Sequence, residues 1–462
     1  MRTKMRSAGI VTTAGGTMLF LAAAGASALE IPSAAAAPAA QAEADPAKKT
    51  EFFLELRGRA EYLDNFNDKY YGAAPKSGDS SDSFLLSRVR VGLARQFNEQ
   101  FSGKASLQDS RVFGWGFDDA DWANSEFGGI VSNPQEDPLE LGETWLRYQN
   151  GGLTAQAGRQ LIGCGNSRIL AASDWKNSGK WIWDAVKARY QSGGHWAEAF
   201  YGRTMLHDPD LFSLDHRHGY DGAGLHGHVQ LAESLAAEPV LATKHNDRSL
   251  DYQKKDLLYY GARLLFEQNG FTADSTYVRQ TGSVTKEAEA DVDAQGFNLD
   301  LDYAFNPQWS VGATFSYASG DDKSTADNER FDGMYGASDK YYGLINLMVW
   351  SNLLDYGLTA EYRPAKNITL RGEAHQFYAD EISDKWLSYK NGLSSSSEQY
   401  GSELDLKVTW KVNPAWTLLA AASVFLPGDA IEEAAAGGQE FLTDDTACSG
   451  FLQAAYKFST EF

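Results

Sequence analysis

Four arginines stand at alternate positions in two short segments, Arg57 with Arg59 and Arg88 with Arg90. Residues two apart in a β-strand point to the same face, so each pair would present two guanidinium groups side by side. A guanidinium group binds a carboxylate through two parallel hydrogen bonds, and several of them attract anions. On adjacent strands these residues predict an anion-binding wall, although the pairing of each charge with a neighbouring strand remains the simpler interpretation for any one of them.

The elements that must hold these residues are strands with one apolar and one polar face. In residues 296–305, for example, Phe297, Leu299 and Leu301 alternate with Asn298 and Asp300. Alternation of this kind is typical of soluble sandwiches and of membrane barrels alike. The segments run about ten residues, however, which is the length of a tilted membrane strand rather than of a soluble one.

The connections separate the two architectures, because short and long links alternate along the chain. The short turns are Asn98-Glu99, Asn150-Gly152, Gly193-Gly194, Asn269-Gly270, Asn306-Pro307, Ala365-Lys366 and Asn413-Pro414, and the long loops are 64–83, 113–139, 161–181, 207–218, 319–352, 379–399 and 427–449. Short periplasmic turns and long extracellular loops are typical of outer-membrane proteins. The sequence therefore predicts an all-β fold, a transmembrane antiparallel up-and-down β-barrel of about 18 strands that ends in the aromatic Phe462.

The apolar face of each strand would then meet lipid, and the opposite face would line a water-filled lumen. With the polar face turned to the lumen, the N-terminal strands place more positive than negative side chains inside the barrel. The inward basic residues include Arg57, Arg59, Arg88, Arg90, Arg147, Arg189 and, on a later strand, Arg263. A more acidic wall, with Asp300, Glu373, Glu403 and Asp405 among its residues, would face them.

The N-terminus predicts export. Arg2, Lys4 and Arg6 precede an apolar run, which ends at Ala26-Ser27-Ala28, as in a secretory signal peptide. We expect residues 1–28 to be this signal, 29–50 to be a disordered periplasmic lead-in and 51–462 to be the barrel, located in the bacterial outer membrane. The net charge of −21 argues against a nucleic-acid partner.

Several other residues could bind a metal, catalyse a reaction or form a disulfide, but the sequence does not support a site at most of them. His226 and His228 share one strand face, but no carboxylate or thiolate is grouped with them in the sequence, so no metal site and no cofactor is predicted. His207 with Asp208 has no nucleophile beside it, so no enzyme is predicted. Cys164 and Cys448 fall in predicted outer loops, where a disulfide and two separate thiols are both open.

One ordered series of short motifs lies within residues 140–206. Its members are Glu143-Thr144-Trp145-Leu146-Arg147, Gly158-Arg159-Gln160, Gly165, Arg168, Trp175 and Asp184-Ala185-Val186. This series resembles the alginate-export family of outer-membrane proteins. The resemblance implies a monomeric eighteen-stranded barrel whose arginine-rich lumen passes a polyuronate outward, with a periplasmic or envelope partner that delivers the polymer. From their positions in the motif series, the resemblance also implies that Glu143, Arg147, Arg159 and Arg168 line the conduit.

The sequence departs from the family pattern at one point. The family has a long periplasmic turn late in the barrel that plugs the pore, whereas the turn at Asn413-Pro414 is minimal here. The loop 113–139, with Trp115, Phe117, Trp122 and Phe127, is then the better candidate for a constriction, and a mobile surface loop is the alternative.

These observations predict an outer-membrane channel that passes an anionic solute, with export of an alginate-like polyuronate as the first hypothesis. The alternative within transport is a passive porin for uptake of small anionic or zwitterionic nutrients. Two functions outside transport are also open: an adhesin, or an enzyme at the rim of the barrel. Either would place its functional residues in the loops. The expected partners are the anionic solute, outer-membrane lipid and a periplasmic export partner.

Overall fold

The computed structural model describes residues 49–67, 70–72, 81–124, 129–172, 175–179, 181–209, 217–246, 254–285, 289–336, 340–386, 388–389, 391–440 and 442–462. The predicted signal peptide lies outside the described residues, as does the lead-in except for its last two residues, Lys49 and Thr50.

Eighteen antiparallel strands form one closed barrel, as predicted, and each strand pairs with its neighbours along the chain. The strands are β1 (Thr50–Asp64), β2 (Ser81–Gln96), β3 (Phe101–Phe113), β4 (Asp137–Leu141 and Thr144–Asn150), β5 (Leu153–Leu161), β6 (Ile182–Ser192), β7 (His195–Met205), β8 (His218–Ala232), β9 (Leu235–Asn246), β10 (Lys254–Gln268), β11 (Phe271–Thr285), β12 (Glu289–Asn306), β13 (Trp309–Ala318), β14 (Leu353–Ala365), β15 (Ile368–Tyr378), β16 (Gln399–Lys411), β17 (Trp416–Pro427) and β18 (Ala447–Glu461). β18 pairs with β1 from Cys448↔Asp64 to Glu461↔Glu51, which closes the sheet.

The alternation of the sequence decides which face of each strand meets lipid. Leu146, Tyr201 and Leu358 are 64%, 61% and 65% exposed on the outer surface, whereas Arg59, on the other parity, is 2% exposed. Burying apolar side chains in lipid is favourable, and a charged side chain there costs about 2–4 kcal/mol at the bilayer midplane. The polar parity therefore faces the lumen.

Short turns join the strands at the periplasmic end, and exposed aromatic side chains flank them. Phe305, Trp309 and Trp416 are 60%, 45% and 42% exposed beside these turns, as expected of an interfacial girdle. The turn between β16 and β17 is minimal, as predicted, because the Val412 N–H already donates to the Trp416 carbonyl at 2.9 Å.

The extracellular ends differ more from the prediction. β12, for example, begins at Glu289, whereas the alternation seen in the sequence begins at residue 296. The predicted loop 427–449 contains a helix, α1 (Asp429–Ala436), which buries Ala430, Ile431 and Ala434. None of the helices in the described part of the chain has the length and apolar character needed to span a bilayer.

The buried core of the molecule lies inside the extracellular half of the barrel. Phe331, Tyr335 and Trp350, from the connection between β13 and β14, are at most 2% exposed there. They pack against residues of the inner wall such as Trp183 on β6. A loop segment that is rich in aromatic residues therefore occupies lumen space that the sequence analysis assigned to water.

Candidate conduit and its constriction

The connection between β5 and β6, residues 162–181, folds into the lumen, and we call it the first inner loop. One end of it is fastened to β1 and β3. Arg57 donates to the Trp175 carbonyl at 3.2 Å and to Asn177 Oδ1 at 3.0 Å, and Gln108 Nε2 donates to the Ser178 carbonyl at 2.8 Å. The guanidinium group of Arg59 lies 4.5 Å from the centre of the Trp175 ring.

The other part of the first inner loop crosses the lumen to β11 and β12. Asn166 Nδ2 donates to Asp274 Oδ2 at 3.1 Å. Arg168 Nη2 lies 3.2 Å and 3.0 Å from the two carboxylate oxygens of Asp300. The loop thus contacts opposite sides of the barrel, so it spans the conduit instead of covering its rim.

Arg168 is the centre of this crossing. Its side chain is 1% exposed, its guanidinium group lies 3.8 Å from the centre of the Tyr341 ring, and Nη1 donates to the Tyr342 hydroxyl at 2.9 Å. Burial alone would lower its pKa, but Tyr342, Asp300 and Tyr341 outweigh burial and raise the pKa above its ordinary value. Arg168 therefore remains charged and holds the loop through its two Nη groups.

The connection between β13 and β14, residues 319–352, is a second inner loop, and it follows the wall of β9, β10 and β16. Lys244 Nζ donates to Asp332 Oδ2 and to the Met334 carbonyl, both at 3.0 Å. On the opposite side of the loop, the Ile345 N–H donates to Glu403 Oε1 at 2.9 Å. Burial alone would raise the pKa of Asp332, but Lys244 and Lys255 lower it to about 2.

The two inner loops are joined to each other. Leu170 and Tyr335 form a parallel β-bridge, in which the Ala171 N–H donates to the Tyr335 carbonyl at 3.0 Å. The Trp181 indole donates to the Gly336 carbonyl at 3.1 Å. Because each loop is also fastened to the wall, the pair acts as one constriction in the extracellular half of the lumen.

Loop 113–139 contributes to the constriction through Asn133 and Gln135, not through its aromatic residues: Ser178 Oγ of the first inner loop donates to the Asn133 carbonyl at 3.0 Å, and Asn177 Nδ2 donates to the Gln135 carbonyl at 2.9 Å. Trp115, Phe117 and Trp122 stack on one another, and Trp115 packs against Phe84 near the extracellular end of β2. Phe127 lies outside the described residues. Phe84 shares the inward parity of Arg88, so these aromatic residues pack at the extracellular mouth of the lumen.

Below the constriction, the inner wall carries three cations that we call the arginine–lysine cluster, Arg147, Lys187 and Arg189. Arg147 and Lys187 both lie opposite Gln156 in the strand register. Arg147 packs on Trp145 at 4.4 Å and Arg189 on Trp196 at 3.9 Å, measured to the ring centres. Neither arginine forms an ion pair with a described residue, whereas Lys187 Nζ lies 3.8 Å from Glu198 Oε2. The cluster therefore has a net positive charge.

A cavity of about 790 Å³ lies beside this cluster, under the base of the first inner loop. Its lining includes Arg90, Lys104 and Glu143, and both Leu161 and Ile182 from the base of the loop. Lys104 and Glu143 are paired at 2.6 Å, and Arg90 Nε donates to Gln108 Oε1 at 2.5 Å. The charges of this cavity are thus partly compensated, unlike those of the two arginines that rest on tryptophan.

Arg57, Arg59, Arg88 and Arg90 share the inward parity of β1 and β2, with Arg57 directly opposite Arg88. The structure adds what the sequence could not give, namely that Arg57 and Arg59 hold the first inner loop. Arg263 also faces inward, but Glu238 and Asp274 both bind it at 2.7 Å.

Arg159 is buried and bound by two carboxylates, one of which is Glu140, whose Oε1 lies 3.2 Å from Nη1. It lies opposite Asp184 in the register and binds that carboxylate through Nε at 2.8 Å and Nη2 at 2.9 Å. Arg159 therefore belongs to a buried ion-pair network with Asp184 and Glu140 near the extracellular end of β5, and its donors are used by the protein.

Cys164 and Cys448 are separate thiols in the structure, so the disulfide left open by the sequence is not present. Cys164 lies in the first inner loop, and burial, with Glu238 nearby, raises its pKa to about 12. Cys448 lies on β18, opposite Asp64 and Val424. His226 and His228 each meet one carboxylate, Glu198 at 3.2 Å and Glu238 at 3.0 Å.

Sequence reasoning missed the residues that form the constriction from the second inner loop, notably Asp332 and Tyr335. The one available signal was composition: residues 331–350 are rich in aromatic and apolar side chains, which is unusual for an extracellular loop. Trp145 and Trp196 were also missed as partners of arginines, although each stands on the inward parity of its strand.

Comparison with solved structures places the barrel among outer-membrane porins. OpdQ of Pseudomonas aeruginosa matches with a TM-score of 0.58 at 10% identity, covering 89% of this chain and 98% of that chain. OccAB3 of Acinetobacter baumannii matches with a TM-score of 0.58 at 11% identity, covering 89% and 99%. At such identities the likeness shows the fold alone. No curated protein sequence matches the chain significantly.

A closed barrel with a lipid-facing exterior, a polar lumen and a constriction of inward loops defines an outer-membrane channel for solutes. Within that class, the family model for alginate export matches residues 49–443. The chain belongs to this alginate export family, which confirms the resemblance seen in the motif series.

Proposed function

We propose that the channel conducts an anionic, carboxylate-bearing saccharide of the alginate type along the arginine–lysine cluster. The observation that supports this most directly is the set of contacts made by Arg147 and Arg189. Their guanidinium groups face the lumen, rest on tryptophan rings and form no ion pair with a described residue. Arg147 Nε donates to Gln156 Oε1 at 2.8 Å, so Arg147 offers a solute its two Nη groups. Other inward arginines, such as Arg168 and Arg263, are bound by carboxylates of the wall.

A guanidinium group that stacks on an aromatic ring keeps its edge N–H donors available, because stacking uses only its face. The edge is the part that binds a carboxylate through two hydrogen bonds. Two such groups, with Lys187 beside them, offer successive contacts to a chain of uronate residues. Weak, repeated sites of this kind allow entry without trapping the solute, as conduction requires.

Export is the direction we propose, and family membership supports it. On this hypothesis the chain acts as a monomer in the outer membrane and receives polymer from a periplasmic partner. The minimal turn at residues 412–415 suits this arrangement, because it leaves the periplasmic end of the β16–β17 hairpin without a long covering segment.

A second candidate is passive uptake of small anionic nutrients, and the inner loops favour it. Arg57 and Arg168 hold the first inner loop against opposite sides of the barrel, and the second inner loop is bonded to it. A polymer would need these loops to separate, whereas a small anion would not. The size of the solute that enters therefore distinguishes the two candidates.

The test is the reversal potential of the channel in planar bilayers under a KCl gradient, with and without added uronates. We expect anion selectivity in the wild type and block of the current by an oligouronate. The double variant Arg147→Gln/Arg189→Gln should lose both properties. Arg203→Gln is the matched control, because Arg203 is 56% exposed on the outward side and pairs there with Asp221.

Each outcome discriminates between the hypotheses. Block by monomeric galacturonate but not by an oligouronate would favour the uptake porin. Cation selectivity, or equal selectivity in wild type and double variant, would contradict the role of the cluster for either solute.

A further inference from the structure

A second cluster of ionisable residues lies on the opposite wall, where β15 pairs with β16. Glu373 stands directly opposite Asp405, and His375 directly opposite Glu403. All four side chains share the lumen-facing parity, so they form a quartet on two adjacent strands. Carboxylates that face each other across a strand pair repel one another unless a cation lies between them.

Three members of this quartet are placed as metal ligands would be. One potential ligand atom from each of Glu373, His375 and Asp405 lies within 4.8 Å of the other two. His375 is 6% exposed, and its Nδ1 is 2.9 Å from Asp355 Oδ1, which leaves Nε2 to bind a metal ion. A carboxylate that holds the second ring nitrogen is the usual support of a metal-binding histidine.

The buried carboxylates supply an independent sign that a cation belongs here. Glu403 is 0% exposed and Asp405 is 6% exposed. Glu403 Oε2 and Asp405 Oδ1 have no hydrogen-bond partner, although each carboxylate accepts one bond through its other oxygen. A buried oxygen without a partner is costly, and it is rare unless an ion or a water binds it.

The cations already present do not satisfy these oxygens. Arg371 binds Glu373 through Nε at 2.5 Å, and Lys407 stands opposite Arg371 on the periplasmic side of the quartet. Among the described residues, neither cation lies within ion-pair distance of Glu403 or Asp405. The quartet thus keeps two buried carboxylate oxygens, Glu403 Oε2 and Asp405 Oδ1, that no described cation reaches.

We propose that Glu373, His375 and Asp405 bind one divalent metal ion of the Zn²⁺ type, with the Glu403 carboxyl group beside it. The combination of one imidazole with carboxylates favours such an ion over Ca²⁺ or Mg²⁺, which prefer ligand sets made of oxygen alone. This site is distinct from the arginine–lysine cluster, and it does not depend on which solute the channel carries.

The ion would act on the second inner loop. Asp405 Oδ2 accepts the Leu344 N–H at 3.3 Å, and Glu403 Oε1 accepts the Ile345 N–H at 2.9 Å. Between the loop and the wall stands Gly343, whose φ of +82° is one that side chains disfavour; a Cβ there would meet the Glu403 carboxylate at 2.3 Å. By fixing both carboxylates, a bound ion would fix the backbone that hydrogen-bonds to them.

The experiment is isothermal titration of ZnCl₂ into the untagged full chain, purified in detergent and stripped with EDTA. We expect saturable binding of one Zn²⁺ per chain. His375→Ala and Asp405→Asn should abolish it. Asp355→Asn should weaken it about tenfold or more, because Asp355 positions the histidine without binding the metal.

His226→Ala is the matched control, since His226 also faces the lumen and meets a single carboxylate, Glu198. Binding that persists in His375→Ala, or that falls equally in His226→Ala, would overturn the assignment. So would saturation by Ca²⁺ without binding of Zn²⁺. Heat modifiability on gels establishes that each variant is a folded barrel, and Asp405→Asn replaces His375→Ala if the latter does not fold.

Discussion

Arg168 and Arg189 both reach the lumen, yet their surroundings give them opposite roles. Arg168 is bound by Asp300, Tyr341 and Tyr342 and is 1% exposed. Arg189 rests on Trp196 and forms no ion pair with a described residue. The first belongs to the extracellular half, where two loops fill the barrel, and the second to the periplasmic half, where the wall is open.

The difference teaches that inward arginines are not equivalent conduit residues. A guanidinium group whose donors are used by the protein contributes structure, whereas one with available donors contributes binding. Arg57 and Arg59 belong with Arg168 in this respect, because they hold the first inner loop. Neutralising them would alter the constriction together with the selectivity, which is why the cluster below is the better target.

The comparison predicts the largest effect for Arg168→Ala. The substitution leaves Asp300 partly buried without its cation, and breaking a buried ion pair costs about 3–5 kcal/mol. The first inner loop should then detach from β12, so the single-channel conductance should rise several-fold in planar bilayers. Arg203→Ala, which breaks an exposed pair worth about 1 kcal/mol or less, should leave the conductance unchanged. An unchanged conductance in Arg168→Ala would show that the loop does not depend on this arginine.

A second prediction concerns acid pH and the second inner loop. The pKa of Asp332 is lowered to about 2 by Lys244 and Lys255, although burial opposes the shift. Compared with an unfolded carboxylate near 4, this contributes about 2–3 kcal/mol, present above pH 4 and lost as the pH falls toward 2. Fluorescence of the tryptophans, including Trp181 at 5.5 Å from Lys244 Nζ, should change over this range. The variant Asp332→Asn should lack that transition; if it retains the same transition, another group is responsible.

A smaller effect is expected for Trp196→Ala in the periplasmic half. A cation–π contact of this type contributes about 0.5–2 kcal/mol, so Arg189 should become less ordered while keeping its charge. Anion selectivity should therefore persist, and block by an oligouronate should weaken. The measurement is the concentration of oligouronate that halves the current, and Trp416→Ala in the exposed periplasmic girdle is the control. Complete loss of selectivity in Trp196→Ala would contradict the division between charge and positioning.

The smallest effect is expected for the two cysteines. Burial raises the pKa of Cys164 to about 12, so very little of its reactive thiolate exists at pH 8. Maleimide should label Cys164 slowly in the folded channel and fast after denaturation. Reductant should change neither rate, because the two thiols are separate. Labelling of the denatured chain only after reduction would show that they pair.

The strands, their number and their lipid-facing parity could be predicted because alternation and turn residues are local properties of the sequence. The inner loops could not, because they depend on contacts between distant segments, such as Leu170 with Tyr335. The same limit applies to single arginines. Parity predicts that Arg147 and Arg189 face the lumen, but it does not reveal that Arg159 is buried between Asp184 and Glu140.

The first inner loop has a consequence for how the barrel is assembled. Its Trp175 contacts Arg59 on β1 and packs edge-on against Phe451 on β18, the two strands that meet where the sheet closes. The loop therefore contacts both strands of the closing β1–β18 pair from the lumen side. The same loop that narrows the passage therefore also supports the strand pair that closes the barrel, so weakening its contacts would affect closure and conductance together.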